Sequence, residues 1–427
     1  MYSNATGGDL WESIGHVAKK PVSSMMNTWI MQVGFPLVLV SKQNSHLNLE
    51  QNRFLMELGT KKPKGLWSIP ISVGVGKKIS SNLLTTKTSK IKLNQQKIIP
   101  IVNSSRKGFF RVKYDKELLS RIKFLVENKK LDYVDRWSIQ NDLFALCVAG
   151  RERIRSYLDF SDAYHGDDSY LSTANVANNL YFLYFLCFHE NFEPKIKKYT
   201  LEYYTELFEK LGWDPKKDEK HTDTLQRSKV LVILGKLGDQ KIIHEAKRRF
   251  SVFLKKHETL RPDLREAVFS LMAWTGDEKI HNQLVQIYKK AGSQEAKLRV
   301  LGGLCNFRNE KLLLKTLNFS LTKDVRSQNI ALPIVKIAGN PFGKKILWPW
   351  LKKNWKPLSE KFGFGNPLAN RIVASISLVA DSSMEKEIRQ FFKKNHAPGT
   401  EMTLEQTLER IRIHSRFLKQ IRTEFKN

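Results

Sequence analysis

L-G-D-Q-K-I-I-H-E-A, from Leu237 to Ala246, returns in altered form as T-G-D-E-K-I-H-N-Q-L (Thr275 to Leu284) and as F-R-N-E-K-L-L-L-K-T-L (Phe307 to Leu317). Each copy reads as a turn, a short polar cap and the start of an apolar-periodic helix, and the copies lie about 32 to 38 residues apart. Units of that size stack neighbour against neighbour into a curved α-solenoid of the HEAT or armadillo kind, whose concave side is a natural binding surface. The helical period extends outward from this core over residues 115–427, with Asp135 expected to cap the helix that carries Ile139, Leu143, Leu146 and Cys147. Trp348, Trp350 and Trp355 in I-L-W-P-W-L-K-K-N-W read as helix packing, with the proline in a first helical turn.

Residues 36–114 have a different period. P-L-V-L-V, H-L-N-L, L-W-S-I-P-I-S-V, K-I-K-L, K-I-I-P-I-V and G-F-F-R-V-K-Y are short β-rich runs divided by turn residues, which predicts a small antiparallel β-sandwich. Gly74, Gly76 and the Ser/Thr/Lys-rich stretch Lys77 to Lys90 read as an exposed loop. Gly108 is expected to supply a positive φ, and Arg111 and Tyr114 to form a hydrogen-bonded pair at a strand end. Ahead of this region, residues 1–35 hold two amphipathic helices, one with Leu10, Ile14 and Val17 on a face and Gly7-Gly8 as its lead, the other carrying Met25, Met26 and Trp29. The whole is therefore mainly α with a small β domain: terminal helices at 1–35, a sandwich at 36–114 and a solenoid bowl at 115–427.

Composition narrows the function. Hydrophobic residues at 41% suffice for soluble cores, and no apolar run approaches the ~20 residues of a membrane span. The opening Met-Tyr-Ser-Asn-Ala-Thr-Gly-Gly has neither a basic nor an apolar leader, so we expect a cytoplasmic protein with no membrane partner. Cys147, Cys187 and Cys305 stand among apolar neighbours and read as reduced core thiols. The formal charge of +30 raises nucleic acid as a partner, but the lysines are spread over helix faces without an aromatic-interleaved reader motif. Solvated faces, or a positive cavity for peptide carboxylates, account for it better.

A series of strings then points to one family. Y-S-N-A-T-G-G-D-L-W (Tyr2 to Trp11), P-V-S-S-M-M-N-T-W-I-M-Q-V-G-F-P (Pro21 to Pro36), Q-N-R-F-L (Gln51 to Leu55), L-W-S-I-P (Leu66 to Pro70) and N-S-S-R-K-G-F-F-R-V-K-Y (Asn103 to Tyr114) occur in order. They continue through D-R-W-S-I-Q-N-D-L-F-A-L-C-V-A-G-R (Asp135 to Arg151), G-W-D-P-K-K-D-E-K-H-T-D-T-L-Q-R-S (Gly212 to Ser228), D-V-R-S-Q-N (Asp324 to Asn329), N-P-F-G (Asn340 to Gly343) and K-N-W (Lys353 to Trp355). Together they resemble the C-terminal half of the gluzincin zinc aminopeptidases, over nearly the whole chain. Met1 falls where a full-length relative would be completing its catalytic domain, so a split gene product and a fragment both fit.

The zinc-binding H-E-x-x-H of those enzymes needs two histidines on one helix face. His-Glu occurs at His189, His244 and His257, but the residues four positions on are Glu193, Arg248 and Arg261. The G-A-M-E-N segment is absent as well. The resemblance thus implies no catalytic or metal-binding residue in this chain, with zinc in a catalytic half that is a separate chain or a missing segment, and peptides as ligands. It also implies that Arg371, in N-P-L-A-N-R-I-V, faces the substrate cavity and pairs with carboxylates. Arg308 is a second candidate, two residues beyond Asn306, which replaces the arginine of some relatives. The rival is a stand-alone peptide-binding or adaptor solenoid with no catalytic role. Trp11, Ile14, Met25 and Trp29 are expected to anchor an interface with the catalytic half.

Overall fold

The computed structural model describes residues 4–57, 65–94, 97–362 and 367–426. The first residues of the Tyr2 to Trp11 string and Asn366, which opens the Arg371 segment, lie outside them. Two compact units are present, Met1–Val176 and Ala177–Asn427.

The first unit opens with helices α1 (Gly7–Ala18) and α2 (Val22–Ile30). Gly7 and Gly8 belong to the first turn of α1 and are not a lead, because Thr6 and Asp9 close a capping box around them: Thr6 N donates to Asp9 Oδ2 at 2.6 Å, and Asp9 N to Thr6 Oγ1 at 3.4 Å. No residue of α1 is buried. Trp29 ties α2 down, its indole N–H donating to Ser68 O at 3.0 Å and its ring lying 6.4 Å from that of Trp67.

Among the described residues seven strands follow: β1 (Phe35–Gln43), β2 (His46–Phe54), β3 (Ile69–Val75), β4 (Lys78–Leu84), β5 (Thr88–Lys92), β6 (Ile101–Val102) and β7 (Arg111–Tyr114). They form two sheets, in the orders β5-β2-β1-β7 and β4-β3-β6. One pair departs from the antiparallel expectation: β7 runs parallel to β1, with Val38 opposite Val112, because the chain returns to the first sheet after crossing to the second. β4 corrects the loop expected from Lys77 to Lys90. It is an edge strand with only Leu84 buried, so its polar residues carry no alternating signal. Gln51 joins the sheets with every polar atom satisfied, donating to Trp67 O and Thr86 O and accepting from Trp67 N.

Helices α3 (Lys116–Glu127), α4 (Tyr133–Val148) and α5 (Ile154–Ser161) complete this unit, and α6 (Tyr170–Leu186) begins in it. Leu146 and Ala149 pack on Leu37 and Phe54 of the sheet. Asp132 caps α4, accepting from Val134 N at 2.9 Å. Asp135, expected to cap it, turns back from the first turn to accept from Ser105 N at 2.6 Å and Ser104 Oγ at 3.1 Å. Arg111 and Tyr114 are structural but not paired with each other. Arg111 donates to Asp142 Oδ1 at 2.8 Å, and the Tyr114 hydroxyl accepts from Val102 N at 2.9 Å. Gly108 does not have a positive φ. A Cβ there would stand 2.2 Å from Cε1 of the buried Phe110 ring, so ring packing demands the glycine.

The second unit continues with α7 (Glu193–Leu211), α8 (His221–Leu237), α9 (Gln240–Lys255), α10 (Pro262–Thr275), α11 (Glu278–Lys290), α12 (Gln294–Leu304) and α13 (Glu310–Ser320). Then come α14 (Ala331–Ala338), α15 (Lys344–Phe362), α16 (Pro367–Ser375), α17 (Glu385–Lys394) and α18 (Glu401–Phe425). The polar position of each repeat is an N-cap: Asp239, Asp277 and Asn309 accept from backbone N–H groups of α9, α11 and α13. Pro349 sits inside α15, not in its first turn, and all three neighbouring tryptophans are buried.

Helices α8, α10, α12, α14, α16 and α18 pack consecutively on one another, whereas α9 and α11 meet far less extensively. Curvature explains the difference, since the inner layer of a curved stack is compressed and the outer layer splayed. Gly303 shows the compression: a Cβ there would stand 2.6 Å from Phe269 Cβ on α10. The stack also returns on itself. Arg422 near the end of α18 donates twice to Glu190 after α6, at 2.9 and 2.7 Å, and Phe425 stacks on Phe192 at 5.2 Å. The loop ahead of α15 crosses to the same region. Phe342 meets Phe188 at 5.4 Å and Trp274 at 5.7 Å, and Lys344 donates to Phe185 O at 3.1 Å.

Candidate functional site

The C-terminal ends of the inner helices converge where that loop crosses. Lys236, Trp274 and Asn306 each stand three residues ahead of a repeat cap, and the stacking sets them side by side. The Lys236 ammonium lies 5.3 Å from the centroid of the Trp274 ring. The Arg308 guanidinium lies 5.9 Å from the same ring and is fixed by its Nε, which donates to Trp274 O at 2.8 Å. Such placements favour cations over an aromatic face, and a helix C-terminus adds its negative end. Asn306 instead serves packing, donating to Ser270 Oγ at 3.1 Å and Gly302 O at 2.8 Å.

Charge in this cluster is unbalanced. Lys336 is paired with Glu266. Among the described residues, no carboxylate pairs with Lys236, Arg308 or Arg371. Burial, with the Lys336 charge adding to it, pushes Lys236 down to about 8. Arg371 is exposed on α16, which packs against α14 and α18. Arg308 thus stands at the Trp274 ring, and Arg371 is an exposed residue of α16. Lys236 and Trp274 were not expected from the sequence, although their shared position in the repeat is a signal that would have found them.

No metal site accompanies the cluster. Among the described residues there is no group of three or more His, Cys, Asp or Glu able to hold an ion. The residues present do not fit zinc. His281 is buried and its Nε2 lies 3.1 Å from Thr316 Oγ1, while His257 Nδ1 bonds Phe253 O at 2.9 Å. The three cysteines are buried thiols outside any disulfide, and burial pushes the Cys187 and Cys305 thiols up to about 12. Among the described residues, no helix is long and apolar enough to cross a membrane.

Comparison with known proteins places this architecture. The profile of the ERAP1-like C-terminal domain matches residues 100–413. The chain belongs to that family. Aminopeptidase M1-C of Oryza sativa subsp. japonica is 33% identical over 445 aligned residues, which take in 100% of this chain and 50% of the relative. Probable aminopeptidase 2 of Sulfurisphaera tokodaii is 30% identical, covering 96% of this chain and 49% of its own. Aminopeptidase M1 of Arabidopsis thaliana is 29% identical, covering 99% and 50%. This ERAP1-like chain thus spans about half the length of the curated relatives it matches.

Proposed function

We propose that this chain is the C-terminal, substrate-enclosing part of a zinc-dependent aminopeptidase, acting with a catalytic half that carries H-E-x-x-H, in the cytoplasm. The observation that carries the reading is the match of the whole chain to one half of several aminopeptidases. Zinc held by the H-E-x-x-H of that other half would supply the water-activating chemistry for hydrolysis of the N-terminal peptide bond. Every group bound to that metal comes from the other half. This chain supplies walls and charge: the returning helix stack limits access to flexible peptides, and Lys236, Arg308 and Arg371 hold peptide carboxylates. Docking of the catalytic half is supported by α1 and the segment after α2, where Leu10, Ile14, Val17, Met31 and Val33 are exposed. Burying each large apolar side chain there contributes about 1.5 to 3 kcal/mol.

The test is co-purification. Expressed with an H-E-x-x-H polypeptide from the same source, the chain is expected to form a complex whose chelator-sensitive peptidase activity neither part has alone. Deleting residues 1–36 should dissociate it. A chain that binds peptides unchanged and forms no such complex would establish the stand-alone solenoid instead.

A further inference from the structure

We propose that the groove between α9 and α11, on the outer layer of the helix stack, is a docking site for an acidic, partly apolar segment of another protein. It is independent of the peptidase reading, which uses the inner layer.

The groove follows from the curvature. Between α9 and α11, above α10 and α12, lies a cavity of about 950 Å³. Its floor is apolar. Phe253 and Phe269, with ring centroids 5.3 Å apart, lie beside Val300, and the partly exposed Leu254 and Ile287 rise at the sides. Phe253, Phe269 and Val300 are already buried, so the apolar area an occupant would cover is that of Leu254, 40% exposed, and Ile287.

The rim decides the occupant. Arg265, Lys279 and Lys290 line it, and among the described residues none has a carboxylate partner. Arg265 is held in place by donating to Leu260 O at 3.1 Å and His257 O at 3.3 Å, with its guanidinium 5.7 Å from the Phe253 ring centroid. The acid on the rim, Glu278, is already paired with Lys315 at 2.9 Å. Uncompensated cations around an apolar floor complement a segment that carries carboxylates beside large apolar side chains. The nucleic-acid alternative fits less well, because the floor offers no open aromatic face on which bases could stack: Phe253 and Phe269 are both buried.

Fluorescence anisotropy on the full chain tests this with a labelled peptide of alternating Glu and Leu/Phe character, a copy with Lys for Glu, and a copy with Ala for Leu and Phe. The acidic apolar peptide is expected to bind, at least about tenfold more tightly than either copy, and to weaken as salt screens the rim. Lys279→Glu with Lys290→Glu, both on exposed positions, should abolish the preference while the circular dichroism spectrum is unchanged. Equal binding of the Lys copy, binding indifferent to the double variant, or displacement of the peptide by single-stranded RNA would overturn the proposal. So would concentration-dependent self-association that the double variant abolishes, which would make a second copy the occupant.

Discussion

Removing the Asp142 carboxylate should cost the first unit about 3 kcal/mol of stability. This side chain is 4% exposed and holds three donors: Arg106 Nη1 and Arg111 Nη1, each 2.8 Å from Oδ1, and Val112 N, 2.9 Å from Oδ2. Asp142→Ala takes the carboxylate away from the β7 amide and from two guanidinium groups, of which Arg111 keeps Asn141 Oδ1 at 3.1 Å. Breaking one side of a buried ion pair costs about 3 to 5 kcal/mol. The arginine side chains retain 22% and 21% exposure and so recover some hydration, which places the value at the lower end. Asp142→Asn keeps the shape and one oxygen, enough for either the arginines or Val112 but not both, and should cost roughly 2 kcal/mol. The two units can unfold separately, so the assay must be local. Hydrogen exchange of the Val112 amide reads this region alone. An alanine variant within about 1 kcal/mol of wild type, or an asparagine variant as costly as alanine, would refute the argument.

Burial pushes His281, 1% exposed, down to about 4. The unfolded chain therefore binds this proton more readily, so the contribution to stability is complete above about pH 6.5 and is lost by about 1.4 kcal/mol per unit as pH falls toward about 4. His281→Gln should flatten the melting temperature between about pH 7 and about pH 5, and an unaltered slope would count against it. Gly108→Ala should destabilise by about 1 to 3 kcal/mol through overpacking on Phe110. Because leucine lacks the clashing Cε1, adding Phe110→Leu should cost less than the two single changes combined, and strict additivity would reject the steric cause. Alanine at Lys236, Arg308 or Arg371 should weaken free-carboxylate peptides by about 1 to 3 kcal/mol and spare amidated ones in isothermal titration, whereas equal losses would remove that residue from the site.

The repeat caps were legible in the sequence because an N-cap is a local device: Asp239, Asp277 and Asn309 each satisfy donors within three residues. Asp135 misled for a related reason, since Asp132 and Asp135 both suit a cap and tertiary contacts with Ser104 and Ser105 decided between them. Strand β4 was hidden by its place at a sheet edge, and the parallel β1–β7 pair by a crossover that no local pattern records. Of the candidate cluster, the arginines came from family resemblance. The contact of Lys236 with Trp274 depends on the register between stacked repeats, a non-local quantity, although their common distance from the caps contained it.

The seam where Arg422 meets Glu190 joins residues 232 positions apart. A solenoid with free ends melts like a frayed rope, one repeat at a time from whichever end is weaker. Joining the ends removes both starting points, so the helices between them share their stability and the unit resists partial opening. The same seam delays assembly, because closing so long a segment costs about 5 kcal/mol of chain entropy before its few contacts are made. Folding of this unit should therefore finish with α18, and a protease that trims α18 would leave the crossing at Phe342 and Lys344 to hold the region after α6 without its seam.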